Sequence, residues 1–308
     1  MIPGMSRKIS AIDIGSNAIR MMIAELHSGQ MFSYKKYRSS VRLGSDVFKQ
    51  GTISEQTIQQ AEEAFVHFAH LNKKFNIDQC RAVATSATRE AQNKNELIQR
   101  IERKSKIKID VISGIEEARL IFNAVKNEIV LDNKNAVLID VGGGSVEVTQ
   151  VENAKLKVSQ SFPLGTVRLL DALSKKKMSE NHLKIVLGDH MQSLNHFIQK
   201  NFNGQNFEFA IGTGGNLECM ARLKLDLLKK SPNSYCTLEE LIQISDLLKT
   251  IPIKDRISKL KLRPDRADVI VPALLVVKTI LRQYGIRKIL IPCVGLRDGI
   301  LWGMQNNN

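Results

Sequence analysis

Two stretches of this chain repeat one pattern: an apolar, β-branched run, an Asp-x-Gly turn and a second apolar run. KISAIDIGSNAIRMMIAEL turns at Asp13-Ile14-Gly15, and NAVLIDVGGGSVEVTQV turns at Asp140-Val141-Gly142. Ile9 to Ile14 and Ile19 to Leu26 read as strands joined by Gly15-Ser16-Asn17. Val146-Glu147-Val148-Thr149 alternates and is β-branched, so a strand follows the second turn as well. The two Asp residues lie 127 positions apart, close to one domain length, and 308 residues suggest two domains at roughly 150 residues each. The repeat is a weak internal duplication that puts both turns in equivalent local settings.

The turns also restrict the chemistry. A dinucleotide loop needs strand, glycine turn and then helix, so that a pyrophosphate meets a helix N-terminus. A strand follows each turn here, which counts against that fingerprint, and G-x-x-x-x-G-K-[ST] is absent. Two readings of the glycine hairpin remain. It is a plain tight turn, or it points several backbone N–H groups at one phosphate, because no side chain blocks the approach. Asp140 and Glu147 flank the second hairpin. Carboxylates beside a phosphate cradle would repel the ligand unless Mg²⁺ lay between them, and oxygen ligands suit that ion. The cradle reading gains weight from Asp13-x-Gly15-Ser16-Asn17, from the Gly212-x-Gly214-Gly215 turn and from Glu116-Glu117.

A net charge of +14, from 45 basic and 31 acidic residues, favours anionic partners. The lysines are scattered, so a generally basic surface is the competing explanation; the one dense run, Lys175-Lys176-Lys177, reads as solvated. Aromatic residues are only 5%, with no helix-turn-helix or stacking motif, which sets nucleic acid aside as a partner. Four cysteines form no C-x-x-C pair and read as reduced, mostly buried thiols. No apolar run approaches the ~20 residues that cross a bilayer, and MIPGMSRKIS lacks the apolar core of a secretion signal. A cytoplasmic protein without a membrane partner is expected. His67 and His70 read as ordinary half-buried helix residues rather than metal ligands.

Ser54 is placed to cap a helix over about 55–73, where Ile58, Ala61, Phe65, Phe68 and Ala69 recur at helical spacing. CRAVATSA reads as a strand running into a turn, Lys94 to Lys104 as a helix, IKIDVIS as a strand ended by Gly114, and EEARLIFNAVKNEI as a helix. FEFAIGTGGN runs from strand to glycine turn, and NLECMARLKLDLL continues as a helix. Glu239 to Lys249 and Ala267 to Gln283 read as helices, RKILIPCVG as the final strand, and Arg297 to Met304 as a short closing helix.

AIDIGSNAIRMMIAEL, VATSATREAQN, ISGIEEARLIF, VLIDVGGGSVEV, FPLGTVRL, AIGTGGN, RADVIVPAL and VGLRDGILW follow one another in this order. Together they resemble the exopolyphosphatase / guanosine pentaphosphate phosphohydrolase (Ppx/GppA phosphatase) family, over about Lys8 to Gly303. SGxEEARL and DxGGGS are the specific motifs. The resemblance implies an α/β fold: two ribonuclease-H-like domains of the actin-like ATPase superfold around an interdomain cleft. It implies domain I at 1–126, with a C-terminal helix, 298–308, packing back on it, and domain II at 127–297. Longer members carry an extra helical domain, and this chain resembles the short form.

The resemblance also implies roles. Glu117, the second Glu of SGxEEARL, is the base that activates water; the alternative is that Glu116 and Glu117 favour a helix N-terminus. Asp140 and Glu147 are the metal-linked carboxylates, with Asp13 a further candidate. Ser16, Asn17, Gly142, Gly143, Gly144 and Ser145 cradle phosphates, helped by Gly214 and Gly215. Arg20 and Arg89 lie near the phosphate chain, and Arg266 near a guanosine polyphosphate. Asn216 stands where many members have Thr, and Ala18 where the opening loop often has Ser; both bear on substrate preference.

The expected activity is Mg²⁺-dependent release of the terminal phosphate of inorganic polyphosphate, guanosine pentaphosphate or both. Alternatives are an ATP-dependent kinase of the same superfold and a guanosine tetraphosphate or polyphosphate sensor that binds without hydrolysis. A homodimer is implied by resemblance only.

Overall fold

The computed structural model describes residues 7–27, 30–174, 192–201 and 206–306, so the lysine run at 175–177 lies outside the described residues. The chain divides into two compact units, Met1–Ala124 with Leu296–Asn308, and Val125–Gly295.

In the first unit, β1 (Arg7–Ile14), β2 (Ile19–His27) and β3 (Gln30–Ser39) form an antiparallel meander. Helices α1 (Leu43–Gln50) and α2 (Glu55–Lys74) follow, then β4 (Gln79–Ala84), α3 (Ser86–Glu90), α4 (Lys94–Ser105), β5 (Ile109–Val111) and α5 (Gly114–Lys126). The sheet order is β3-β2-β1-β4-β5, with β4 parallel to β1 and β5 parallel to β4. Both faces are covered, which is why β1 and β2 are nearly continuous apolar runs. Alternation sorts them: Ile12, Ile14, Met21 and Ile23 pack with Phe65 and Phe68 of α2 and Leu97 and Ile101 of α4. Each fully buried Phe contributes about 1.5–3 kcal/mol.

Ile9, Ala11, Met22 and Ala24 face the other way, onto Leu120 of α5 and onto Ile300, Leu301 and Met304 of a C-terminal helix, Leu296–Asn306. Gly299 lets this helix touch α5, because a Cβ there would lie 2.0 Å from the Leu120 carbonyl oxygen. Ser54 caps α2 as its sequence suggests, its Oγ accepting from the Thr57 N–H. With Phe65 and Phe68 turned inward, His67 and His70 fall on the outer face and are exposed, not half-buried.

The second unit opens with the meander β6 (Asn135–Val141), β7 (Val146–Glu152) and β8 (Lys155–Phe162). Next come α6 (Thr166–Ser174), α7 (192–201), β9 (Phe209–Thr213), α8 (Gly215–Leu228), β10 (Tyr235–Thr237) and α9 (Leu238–Thr250). Short α10 (Ile253–Ser258) and α11 (Pro264–Ala267) lead to α12 (Ile270–Gln283) and β11 (Lys288–Leu290), and the C-terminal helix of the first unit is α13. The sheet order is β10-β11-β9-β6-β7-β8, with β9 parallel to β6, β11 parallel to β9 and β10 antiparallel at the edge. Apart from that added edge strand, both sheets share the ribonuclease-H-like order: first strand central, meander to one side, parallel strands to the other. The helix expected from Ala267 to Gln283 is broken at Asp268-Val269. A continuous helix would bury Pro272 in its interior, where the ring clashes with the carbonyl four residues back; the break puts Pro272 in the first turn, where no N–H is needed.

The duplication reaches further than the letters do. Gly15 N–H bonds Ala18 O at 3.1 Å, and Gly142 N–H bonds Ser145 O at 3.0 Å. The ladder is irregular between Ile23 and Ala24 in one meander and between Gln150 and Val151 in the other, again 127 positions apart. Among the described residues, no helix is long and apolar enough to cross a membrane.

Candidate active site

In the first unit, the β1–β2 pairing sets Asp13 opposite Arg20, and their side chains meet at 3.4 Å. Asp13 is buried; loss of water raises its carboxyl above the ordinary range, and Arg20 and Arg297 oppose that rise. Ser16 and Asn17 occupy the turn and are buried, and Ser16 O accepts from the Gly44 N–H of α1 at 2.9 Å.

Arg89, on α3, donates to Ile112 O at 2.7 Å and lies 3.8 Å from Glu117. The two glutamates of α5 divide their work. Glu116 faces outward onto Arg119, with two bonds of 2.7 Å that hold its carboxyl below the usual range. Glu117 is buried beside Arg89. The first unit therefore brings together two Arg–carboxylate pairs, Arg20 with Asp13 and Arg89 with Glu117.

In the second unit, the β6–β7 pairing sets Asp140 opposite Glu147, at the register positions of Asp13 and Arg20. Both are buried, and a carboxylate oxygen of each lies within 4.8 Å of the other. Thr213 Oγ1 donates to Asp140 Oδ1 at 2.5 Å, and Ser161 Oγ donates to Glu147 Oε1 at 2.7 Å, so both carboxylates are oriented. Like charges directly across a ladder are destabilising. Two fixed, buried, oxygen-only donors suit a hard divalent cation such as Mg²⁺.

The glycine turn between them is built from its carbonyls outward. Gly142 O accepts from the Thr166 N–H at 3.1 Å, Gly143 O from the Val167 N–H at 2.8 Å, and Gly144 O from Arg168 Nε at 3.0 Å. A trans peptide sends its N–H opposite to its C=O. The N–H groups of Gly143, Gly144 and Ser145 are therefore directed away from residues 165–168, an orientation that suits an anion nest.

The third glycine turn joins the same region. Gly214 has φ +88°, and a Cβ on it would meet Asp140 Oδ1 at 3.3 Å. Gly215 opens α8, where a Cβ would meet Arg266 Nη2 at 2.8 Å. Asn216 Nδ2 donates to Val141 O at 3.3 Å, and its Oδ1 accepts from Arg266 Nη1. Arg266 is buried and tied to the glycine turn through Asn216.

The second unit thus gathers Asp140, Gly142, Gly143, Gly144, Ser145, Glu147, Gly214, Gly215 and Arg266 around the end of β6. Thr213, Ser161 and Arg168 were not singled out by the sequence. They act from separate strands or through a carbonyl, which leaves no spacing signal; Arg168 does stand inside FPLGTVRL.

The model of the Ppx/GppA phosphatase family matches residues 22–308. The chain is 30% identical to a bifunctional 3-dehydroquinate synthase/phosphatase of Fusobacterium nucleatum, covering 96% of this chain and 46% of that protein. It is 23% identical to a guanosine-5'-triphosphate,3'-diphosphate pyrophosphatase of Aeromonas hydrophila, covering 97% of this chain and 60% of that protein. It spans about half the length of these relatives. Among solved structures, an exopolyphosphatase from Cytophaga hutchinsonii superposes with TM-score 0.89 at 23% identity, covering 97% and 98% of the two chains. A Ppx/GppA family member from Aquifex aeolicus gives 0.77 at 23% identity, covering 99% and 100%. These likenesses show the fold, two ribonuclease-H-like units of the actin-like ATPase superfold.

Proposed function

The chain belongs to the Ppx/GppA phosphatase family, and from that premise we propose that it releases the terminal phosphate of inorganic polyphosphate, guanosine pentaphosphate or both. The observation that carries the reading is the glycine turn with its carbonyls engaged from behind, flanked by the buried pair Asp140 and Glu147.

Gly143, Gly144 and Ser145 bind phosphate oxygens through backbone N–H groups; Ser16 and Asn17 do so from the first hairpin. Asp140 and Glu147 would hold Mg²⁺, and Asp13 keeps Arg20 in place. When bound, that ion neutralises charge on the phosphate oxygens, the main demand of phosphoryl transfer. Glu117 accepts the proton of the attacking water, and Arg89 fixes its carboxylate. Arg266 acts on the third glycine turn through Asn216. The pyrophosphatase of Aeromonas and the exopolyphosphatase of Cytophaga, both named for work on phosphoanhydrides, support this substrate class.

The test is phosphate release with Mg²⁺ from long and short polyphosphate, guanosine pentaphosphate and ATP in parallel. Glu117→Ala is expected to lower turnover at least ~10²-fold with folding intact. Undiminished release by that variant removes Glu117 from the chemistry. Tight binding of guanosine tetraphosphate without turnover of any substrate would replace the hydrolase with a sensor.

A further inference from the structure

FPLGTVRL runs from the end of β8 into α6, and the proposed reaction leaves it without a role. Residues 165–168 of this segment bond repeatedly to the glycine turn. Besides the bonds to Gly142 O, Gly143 O and Gly144 O described above, the Gly165 N–H donates to Gly144 O at 3.3 Å and the Arg168 N–H to Gly143 O at 3.2 Å. Gly165 lies flat on the turn: a Cβ there would stand 2.2 Å from Gly144 C and 2.4 Å from Gly143 C. Both backbones would have to separate to admit any side chain. The first unit does less at the equivalent place, where one N–H, that of Gly44 in α1, reaches Ser16 O.

We propose that residues 165–168 form a clamp that sets the peptide planes of the GGGS turn, and that Arg168 is a positioning residue of the phosphate site. The proposal rests on the reading of that turn as a phosphate cradle. Gly142 O and Gly143 O are held by helix N–H groups, which no substitution other than proline removes. Gly144 O is different. Its backbone partner is a long 3.3 Å bond, and its short one comes from the Arg168 guanidinium. The 144–145 peptide is thus the plane that Arg168 orients, and the N–H it aims is that of Ser145. Without Arg168, only the long Gly165 bond restrains this plane, and one of the three donors loses its fixed aim.

Arg168→Ala and Arg168→Lys, each judged folded by circular dichroism, test the clamp. On binding tripolyphosphate, the protection from hydrogen exchange gained by the 143–145 amides is expected to be at least about tenfold smaller in Arg168→Ala, with the 15–18 amides unchanged. Loss of one preorganised donor in other enzymes costs about 10²–10³-fold in kcat. A fall of about 10²-fold in kcat/KM is expected, by a similar factor on long and short polyphosphate, with the Mg²⁺-induced rise in Tm retained. Arg168→Lys is expected to recover at least about a tenth of the lost activity. Unchanged protection at 143–145, or a loss that grows with chain length as for a direct contact to substrate, overturns the proposal. If wild type turns over nothing, the hydrolase reading fails on its own. The exchange measurement, with binding of tripolyphosphate as a second readout, then still decides the clamp.

Discussion

Glu147→Gln isolates the electrostatics of the second hairpin. Asp140 and Glu147 are cross-strand partners with carboxylate oxygens within 4.8 Å of each other. Two unit charges at that distance repel by about 3.5 kcal/mol at an effective dielectric constant of about 20. Gln keeps the oxygen that accepts from Ser161, so the side chain stays anchored while its charge goes. In EDTA the variant is expected to be more stable than wild type by about 1–3 kcal/mol. At about 2–4 °C per kcal/mol for a unit of this size, its Tm rises by several degrees. With Mg²⁺ the order reverses. A site filled at about 100 times its Kd stabilises wild type by about 2.7 kcal/mol, and a variant that has lost one of two carboxylates gains much less. Thermal unfolding of both proteins in EDTA and across a Mg²⁺ titration measures all of this. If Glu147→Gln is no more stable than wild type in EDTA, or if Mg²⁺ raises both Tm values equally, the pair is not a cation site.

Gly299→Ala would place a methyl group 2.0 Å from Leu120 O, a clash with backbone that no rotamer relieves. A loss of about 1–3 kcal/mol in urea unfolding is expected, with reduced turnover because α5 also carries Glu117; an equally stable variant would mean α13 does not rest on α5 this closely. Glu62 gives the pH dependence. Hydrogen bonds from Arg100, joined by Lys104, hold its carboxyl at about 2 rather than the ordinary 4.5. A depressed carboxyl stabilises the fold above its unfolded value, and that contribution is lost as pH falls from about 5 towards 2. Glu62→Gln should flatten the acid limb of a Tm-against-pH curve, and an unaltered limb would locate acid lability elsewhere.

The central strands were legible because burial on both faces forces a nearly continuous apolar run, as in Ile9 to Ile14 and Val137 to Val141. The outer strands of the two meanders were not. β3 and β8 carry QMFSYKKYRS and KLKVSQSF, half-solvated sequences in which lysine and serine blur the period. The duplication contained the missing signal, since a hairpin that repeats implies that its third strand does too. In the candidate site, Asp, Glu and Gly were legible because carboxylates at the ends of apolar strands are unusual and a run of glycines has narrow uses. Thr213, Ser161 and Arg168 were not, because what matters about them is the atom each touches: a carboxylate oxygen in two cases and a peptide oxygen in the third.

The two hairpins show how one piece of backbone takes on two tasks by a single change of charge. Asp13 and Asp140 close equivalent strands, with equivalent turn bonds behind them. Opposite Asp13 the chain supplies its own cation, Arg20; opposite Asp140 it supplies a second carboxyl group, Glu147. An Arg–Asp pair is neutral as it stands. Two carboxylates at the same register are not, and burial leaves water unable to screen them. The second hairpin is therefore the one that places two acidic side chains at one register position, which is why we propose it as the cation site, and it is also the one whose glycine carbonyls are held at every position. Glu147→Arg, which copies the first hairpin's charge into the second, should accordingly yield a folded protein whose Tm no longer rises with Mg²⁺ and whose phosphate release is lost; thermal unfolding that still responds to Mg²⁺ would refute the cation site.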